Sequence, residues 1–229
     1  MKIVISLGGH LFTKKIRSTS EITVETYKLY ADVLRKLKYD GHKIVAVCGA
    51  GKFLRDYLRV AKEMGADKEL RDWIGINFTH INALMLIAEL GKDAHPLSLR
   101  TVEDVKKHFD DKILVFGGNV PGSSTDYDAA LFAEAIKADL LINATTIDGV
   151  YSADPKKDPK AKKYDKLNYD DFEKIILKNP QEPGEYRLFD LPGARVIKRA
   201  KIKTIVINGI DPEEIIRAVE GKHKGTVIS

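Results

Sequence analysis

A single cysteine, Cys48, stands in a chain of 229 residues, which excludes a disulfide framework and any multi-cysteine metal centre. It lies at the end of an apolar run, where a small buried core residue is the expectation. The pattern G-x-x-x-x-G-K-[ST] is missing, so the chain is not a P-loop protein. Gly49-Ala50-Gly51 lacks the third glycine of the dinucleotide fingerprint, and no acidic residue is placed for a nicotinamide ribose. A Rossmann dehydrogenase is therefore compatible with the element pattern but unsupported by its motif. His80, His95, His108 and His223 are scattered and show no metal-ligand spacing. The net charge of +5 is small beside 38 basic and 33 acidic side chains and suits small anionic substrates, whereas a nucleic-acid binder more often concentrates its excess in one tract; the lysine-rich run Lys156–Lys166 reads as a solvated loop. The opening run MKIVISLGG is too short for a signal peptide or a membrane span, which makes the cytoplasm the expected location.

What is present is a recurrence of strand, glycine turn and helix. Apolar runs over Lys2–Leu7, Lys43–Cys48 and Ile113–Phe116 end at Gly8-Gly9, Gly49-Ala50-Gly51 and Gly117-Gly118. A helical pattern starting at Ser20 carries Ile22, Tyr27, Tyr30, Val33, Leu34 and Leu37 on one face and stops at Gly41. Further helices are expected over Phe53–Gly65, Lys68–Leu90 and Asp126–Lys137, and from Thr101, whose Asp104 three residues on approaches a capping box. Ala94–Leu97 reads as a short strand and Leu140–Asn143 as a buried one. After them come a helix over Asp170–Lys178, a loop with Asn179-Pro180 and Pro183-Gly184, and a helix over Ala194–Ala200. A strand at Thr204–Ile207, a helix over Asp211–Val219 with Asp211-Pro212 as N-cap and N1, and an edge strand at Val227-Ile228 complete the chain. Strands so far apart in sequence imply a mostly parallel sheet covered on both faces, without a domain break or a repeat.

The stretch Asn143–Asp158 leaves the strand ending near Ile142 and turns at Asp148-Gly149 and again at Asp154-Pro155. Ligands of open α/β sheets bind at strand C-terminal ends. There the ring of Tyr151 can cover a base and the carboxylate of Asp154 can accept ribose hydroxyls. Any one glycine turn is explained by a positive φ. Three at parallel strand ends can line a groove for several phosphates, because glycine lets backbone N–H groups approach an anion. Pro121-Gly122-Ser123-Ser124-Thr125-Asp126 offers hydroxyls before a helix that Ser124 or Thr125 can cap. Arg55, four residues after Gly51, can reach the same groove.

These segments occur in order: Ile5-Ser6-Leu7-Gly8-Gly9, Gly49 through Arg55, Asp72-Trp73-Ile74-Gly75-Ile76, Gly117 through Asp126 and Asp148 through Pro159. Together they resemble, end to end, the amino acid kinase superfamily and within it the uridylate (UMP) kinases of the archaeal type. The resemblance implies a three-layer αβα sandwich with a mostly parallel central sheet. It implies one domain over 1–229, with an acceptor lobe to about 137 and an ATP lobe from about 138. The implied reaction moves the γ-phosphoryl of ATP to UMP, with Mg²⁺, in pyrimidine nucleotide biosynthesis, in a homohexamer without nucleic acid or membrane. Gly9, Arg55 and Asp126 would carry catalysis. Ser6, Gly8, Gly9, His10, Gly51, Arg55, Thr145, Thr146, Tyr151 and Asp154 would hold ATP. Ala50, Asp72, Asn119, Val120, Pro121, Gly122, Ser123, Ser124 and Thr125 would hold UMP, with no metal ligand assigned among the side chains.

The chain departs from the superfamily pattern at several points. Many members carry lysine where Ser6 stands, a third glycine at Ala50, asparagine at Thr146 and lysine at Arg195. Two alternatives follow: another small acceptor such as isopentenyl phosphate, for which His10 would be the histidine near the acceptor, or acetylglutamate; and a nucleotide-binding module without transfer.

Overall fold

The computed structural model describes residues 1–16, 19–155, 157–178 and 189–229. In chain order it builds β1 (Lys2–Leu7), β2 (Lys14–Ile16), β3 (Thr19–Glu21), α1 (Val24–Tyr39), β4 (Lys43–Cys48), α2 (Leu54–Glu63), α3 (Lys68–Leu90), α4 (Val102–His108), β5 (Leu114–Phe116) and α5 (Thr125–Ile136). There follow β6 (Leu140–Thr145), β7 (Val150–Tyr151), β8 (Lys163–Tyr164), β9 (Lys166–Leu167), α6 (Tyr169–Lys178), α7 (Leu191–Ala200), β10 (Thr204–Asn208), α8 (Glu213–Val219) and β11 (Thr226–Ile228).

Seven strands form the central sheet in the order β5-β4-β1-β6-β10-β11-β9, with β5, β4, β1, β6 and β10 all parallel and β11 antiparallel to β10. Alternation along each strand divides the side chains between two cores. Ile3, Ile5, Leu7, Ile44, Ala46, Cys48, Ile142 and Ile205 face α1, α3 and α8. Val4, Val45, Val47, Leu114, Phe116, Leu141 and Val206 face α4, α5, α6 and α7. Both faces being covered explains why these strands read as unbroken apolar runs. Phe132 of α5 is fully buried with its ring 4.3 Å from that of Phe116, a burial that contributes about 2–3 kcal/mol. Cys48 is fully buried and its thiol is pushed up by burial, which fits an inert core residue. By length and composition α3 could cross a membrane, but Ala83, Leu86, Ile87 and Leu90 bury its inner face against the sheet.

Strand order places the site. From β1 the chain builds outward through β4 to β5, then returns to the other side of β1 to lay down β6 and β10. The order reverses at β1, so the crevice opens at its C-terminal end, beside the ends of β4 and β6.

Several elements differ from what the sequence implies. Ser20 does not start a helix: 19–21 pair with 14–16 as a hairpin, and α1 begins at Val24 behind Thr23, whose side chain accepts the Thr26 N–H. The apolar period of α1 continued backward through Ile22, which hid the break. Ala94–Leu97 forms only an isolated bridge between Ala94 and Ile113. β11 is not an edge strand, because β9, two residues long and unmarked by any apolar run, pairs outside it. α8 starts at Glu213 behind Pro212, one residue later than expected, although Asp211 Oδ1 still accepts the Glu213 N–H at 3.2 Å. α7 begins three residues earlier than expected, at Leu191, capped by Asp190 with Pro192 in its first turn. The capping box at Thr101 and Asp104 is present. The loop with Asn179-Pro180 and Pro183-Gly184 lies outside the described residues.

Candidate active site

At the switch point the turns after β1 and β4 are pressed backbone to backbone. A Cβ on Gly9 would lie 2.6 Å from the Gly49 carbonyl carbon, and one on Gly49 would lie 2.5 Å from Gly9 N. Gly51 has φ +87°, and a Cβ there would also meet Gly9 O at 2.7 Å. An L-residue at Gly51 is thus both strained and crowded. Gly8 N–H donates to Ala144 O at 2.9 Å, which ties the first turn to β6. From α3, the buried Asn82 amide donates to Gly49 O at 2.7 Å and to Ala50 O at 3.1 Å, while the Tyr27 hydroxyl donates to Asn82 Oδ1 at 2.9 Å. Carbonyls held from behind leave the turn's other face toward the crevice.

The third turn is held the same way. Thr79 Oγ1 accepts the Gly118 N–H at 2.6 Å, and His80 Nε2 lies 2.9 Å from Gly118 O. A carbonyl only accepts, so Nε2 carries the proton and Nδ1 accepts the Ser98 hydroxyl at 2.6 Å. Burial lowers the His80 pKa, although the bond to Gly118 opposes this, so the ring is neutral. Beyond Gly118, Val120-Pro121-Gly122-Ser123 forms a turn closed by Ser123 N–H to Val120 O at 3.2 Å, with Gly122 at φ +80°. Proline second and glycine third are the residues a type II turn requires. Asp72, in the second turn of α3, accepts the Gly122 N–H on Oδ2 at 2.9 Å. Ser124, rather than Thr125, caps α5 by accepting the Tyr127 N–H at 3.1 Å, and its hydroxyl donates to Asp190, which caps α7 through Gly193 N. One short contact therefore joins the N-termini of two helices whose dipole ends favour anions.

Asp126 stands in the first turn of α5. Its Oδ1 accepts the Ser6 hydroxyl at 2.9 Å and the Asn143 amide at 3.3 Å. Ser6 is buried to 2 % exposure, so its hydroxyl orients Asp126. The side chain at this position thus works through the carboxylate, where a lysine would present its own charge.

On the other flank, Thr145 ends β6 and its carbonyl accepts Gly209 N–H at 2.8 Å. Tyr151 lies in β7, half-buried, and its hydroxyl donates to Asp148 Oδ1 at 2.7 Å, which raises the phenol pKa. Lys163 Nζ reaches Asp148 Oδ2 at 3.0 Å. Burial alone would raise the Asp148 pKa, but these two donors outweigh it and the net shift is downward. Asp154 O accepts Lys157 and Asp158 N–H groups at 3.0 and 2.8 Å, which closes the second turn. His10 and Thr146 line a cleft of about 360 Å³ with Leu11, Leu29, Tyr30 and Pro212 on the α1 side of the sheet. Arg55 is exposed on the first turn of α2. Arg195 turns away from the crevice and pairs with Glu173 at 2.9 Å.

The structure thus gathers Asp72 with Gly122, and Ser6 with Asp126, and it presses Gly9 against Gly51. Thr79, His80, Asn82 and Asp128 hold the turns and were not marked by any motif. Polar Thr79, His80 and Asn82 inside the apolar stretch Ile74–Leu90 were the available signal. Among the described residues no group of three His, Cys, Asp or Glu gathers to hold a metal. Mg²⁺ that arrives on substrate phosphates keeps its waters and needs at most one or two carboxylates, so the site's oxygen donors are compatible with it.

A doubly covered parallel sheet with clasped glycine turns at its switch point places the chain in a class, and comparison with known proteins agrees: the chain belongs to the amino acid kinase family, whose model matches residues 1–208. Relatives that match it end to end are uridylate kinases. That of Archaeoglobus fulgidus is 41 % identical, with 100 % of both chains covered, and that of Thermococcus kodakarensis is 37 % identical over 100 % of this chain and 99 % of its own. The crystal structure of uridylate kinase from Archaeoglobus fulgidus superposes with a TM-score of 0.84 at 39 % identity, covering 100 % of both chains. That of UMP kinase from Bacillus anthracis superposes with a TM-score of 0.83 at 25 % identity, covering 100 % of this chain and 95 % of the other.

Proposed function

We propose that this chain is a UMP kinase, transferring the γ-phosphoryl of ATP to UMP to give UDP and ADP in pyrimidine nucleotide synthesis. The observation that carries the assignment is Asp72 clasping the Asn119–Thr125 loop beside the glycine turns, in a chain similar over its full length to uridylate kinases. A phosphate oxygen of UMP attacks Pγ and the bond from Pγ to the ADP oxygen breaks, so no protein nucleophile is needed. Catalysis is then positioning and charge neutralisation. Backbone N–H groups at Gly9 and Gly51 line the transferred group, Gly8 holds the first turn to β6, and Arg55 adds a cation. Asp126, fixed by Ser6 and Asn143, organises the first turn of α5. Mg²⁺ bound with ATP supplies further positive charge to the phosphates.

Residues to about 137 form the acceptor half, with Ala50, Asp72 and Asn119–Thr125 around UMP. The remainder forms the ATP half, with Thr145, Thr146, Tyr151 and Asp154 around the nucleoside. The enzyme acts in the cytoplasm as a homo-oligomer, a hexamer. Tyr57, Val60 and Met64 of α2 and Leu70, Trp73, Ile81, Leu84 and Met85 of α3 are exposed, an apolar surface that a second copy would cover.

ADP release from ATP and Mg²⁺, measured against UMP, CMP, AMP, isopentenyl phosphate and acetylglutamate, tests the assignment. Turnover with UMP far above the others is expected. Turnover with another acceptor keeps the kinase and removes UMP, and silence across the panel with ATP still bound indicates a module that binds without transfer.

A further inference from the structure

Asp128 is 1 % exposed, and the transfer reaction makes no direct use of it. It follows Asp126 by two positions in α5, and the buried face around it is otherwise Ala129, Ala130, Phe132, Ala133 and Ile136. An aliphatic side chain would suit that face better. The Asp128 carboxylate instead folds back over the helix start. Oδ2 accepts the Asn119 N–H at 3.1 Å and Oδ1 accepts the Ser123 hydroxyl at 2.9 Å. Those donors are the first residue of the acceptor loop and the last before the α5 cap. One side chain therefore closes a ring around the Val120–Ser123 turn, while Asp72 holds its middle from the opposite side at Gly122. Burial pushes the Asp128 pKa up to about 6, with the Asp190 carboxylate adding a little and the bonds from Ser123 and Asn119 opposing it, so the carboxylate is kept there against its burial.

We propose that Asp128 is a positioning residue for the acceptor: by holding both ends of the Asn119–Ser123 loop it presets the loop that receives the acceptor phosphate, without touching the acceptor itself. The proposal rests on the UMP kinase assignment. A loop shaped before the ligand arrives spares binding its ordering cost, so affinity rises without a new contact. Losing the clasp therefore raises KM for the acceptor, and leaves kcat and KM for ATP in place.

Steady-state kinetics in both substrates on the wild type, Asp128→Ala, Asp128→Val, Asp128→Asn and Ser123→Ala tests this. In Asp128→Ala KM for UMP should rise about tenfold or more, with kcat and KM for ATP within about twofold of wild type. Asparagine restores the ring, because its carbonyl accepts Asn119 N–H and its amide donates to the Ser123 hydroxyl, which rotates. KM should then return to within about threefold of wild type. Ser123→Ala removes one bond of the two and should fall between, but Ser123 also lines the acceptor site, so Asp128→Val, whose side chain suits the apolar face, decides the matter if Asp128→Ala does not fold. Unchanged KM for UMP in Asp128→Ala, or in Asp128→Val, overturns the proposal. So does an equal loss in kcat and in both KM values, which signals general damage. A wild type that ignores UMP and uses another phosphate acceptor removes the assignment alone, and the same comparison on that acceptor then judges Asp128.

Discussion

The two flanks of the crevice are built differently. The flank proposed to receive the acceptor is held by buried side chains: Asn82, Thr79, His80 and Asp128 are each under 10 % exposed and each bonds a turn's backbone. The nucleotide flank is held by Tyr151, Asp148 and Lys163, all partly exposed, across a pair of two-residue strands. Buried bonds with no competing water fix a geometry, whereas exposed ion pairs contribute little to it. The difference matches a reaction in which the small acceptor must be aligned with Pγ, while a nucleoside some distance from the chemistry only has to be retained.

Substitutions should separate the flanks by size of effect. Gly51→Ala forces φ +87° on a residue with a Cβ that meets Gly9 O. It should lower kcat by about a hundredfold or more while circular dichroism stays native, because the displaced backbone carries donors to the transferred group. A milder loss than that of Tyr151→Ala would remove the contrast between a fixed acceptor flank and a tolerant nucleotide flank.

Asp128 offers a second contrast, between stability and binding. Its carboxyl titrates near 6 in the fold against an ordinary 3.8, so between about pH 4 and 6 the folded chain holds a proton that the unfolded chain has released. Its contribution is therefore most favourable below about pH 4 and declines as pH rises through 6. Asp128→Asn removes that slope. The variant should be more stable than wild type at pH 7, by up to roughly 3 kcal/mol, with the difference vanishing near pH 4. Thermal melts across that range check it, and equal pH slopes in both proteins would contradict it.

The fold was legible because its runs are long. Lys2–Leu7, Lys43–Cys48 and Lys68–Leu90 carry enough apolar residues for burial on both sides of a sheet to override local ambiguity. The short pieces were not legible. β7, β8 and β9 have two residues each, too few for a period, and the β2–β3 hairpin sits where the apolar pattern of α1 continued past its start. At the site, glycines announced the turns: Gly51 and Gly122 are required by a positive φ, Gly9 and Gly49 by the close approach of two backbones. The clasps were harder to read, since Asn82 and Asp128 are polar residues on otherwise mostly apolar buried faces and acquire a role only when the sheet brings α3 and α5 beside the turns. Ser6 was legible as a departure, but its partner Asp126 lies 120 residues away and only the β1–α5 packing joins them.

The most direct test of the division between flanks is KM for both substrates in Asp72→Asn and Tyr151→Ala. Asp72→Asn should raise KM for UMP by several-fold, because its neutral carbonyl still accepts the Gly122 N–H but without the charge that strengthens the bond, and leave KM for ATP nearly unchanged. Tyr151→Ala should do the reverse, by several-fold. The opposite pattern would mean that the two sites are exchanged, and an equal rise in both KM values in either variant would contradict the division itself.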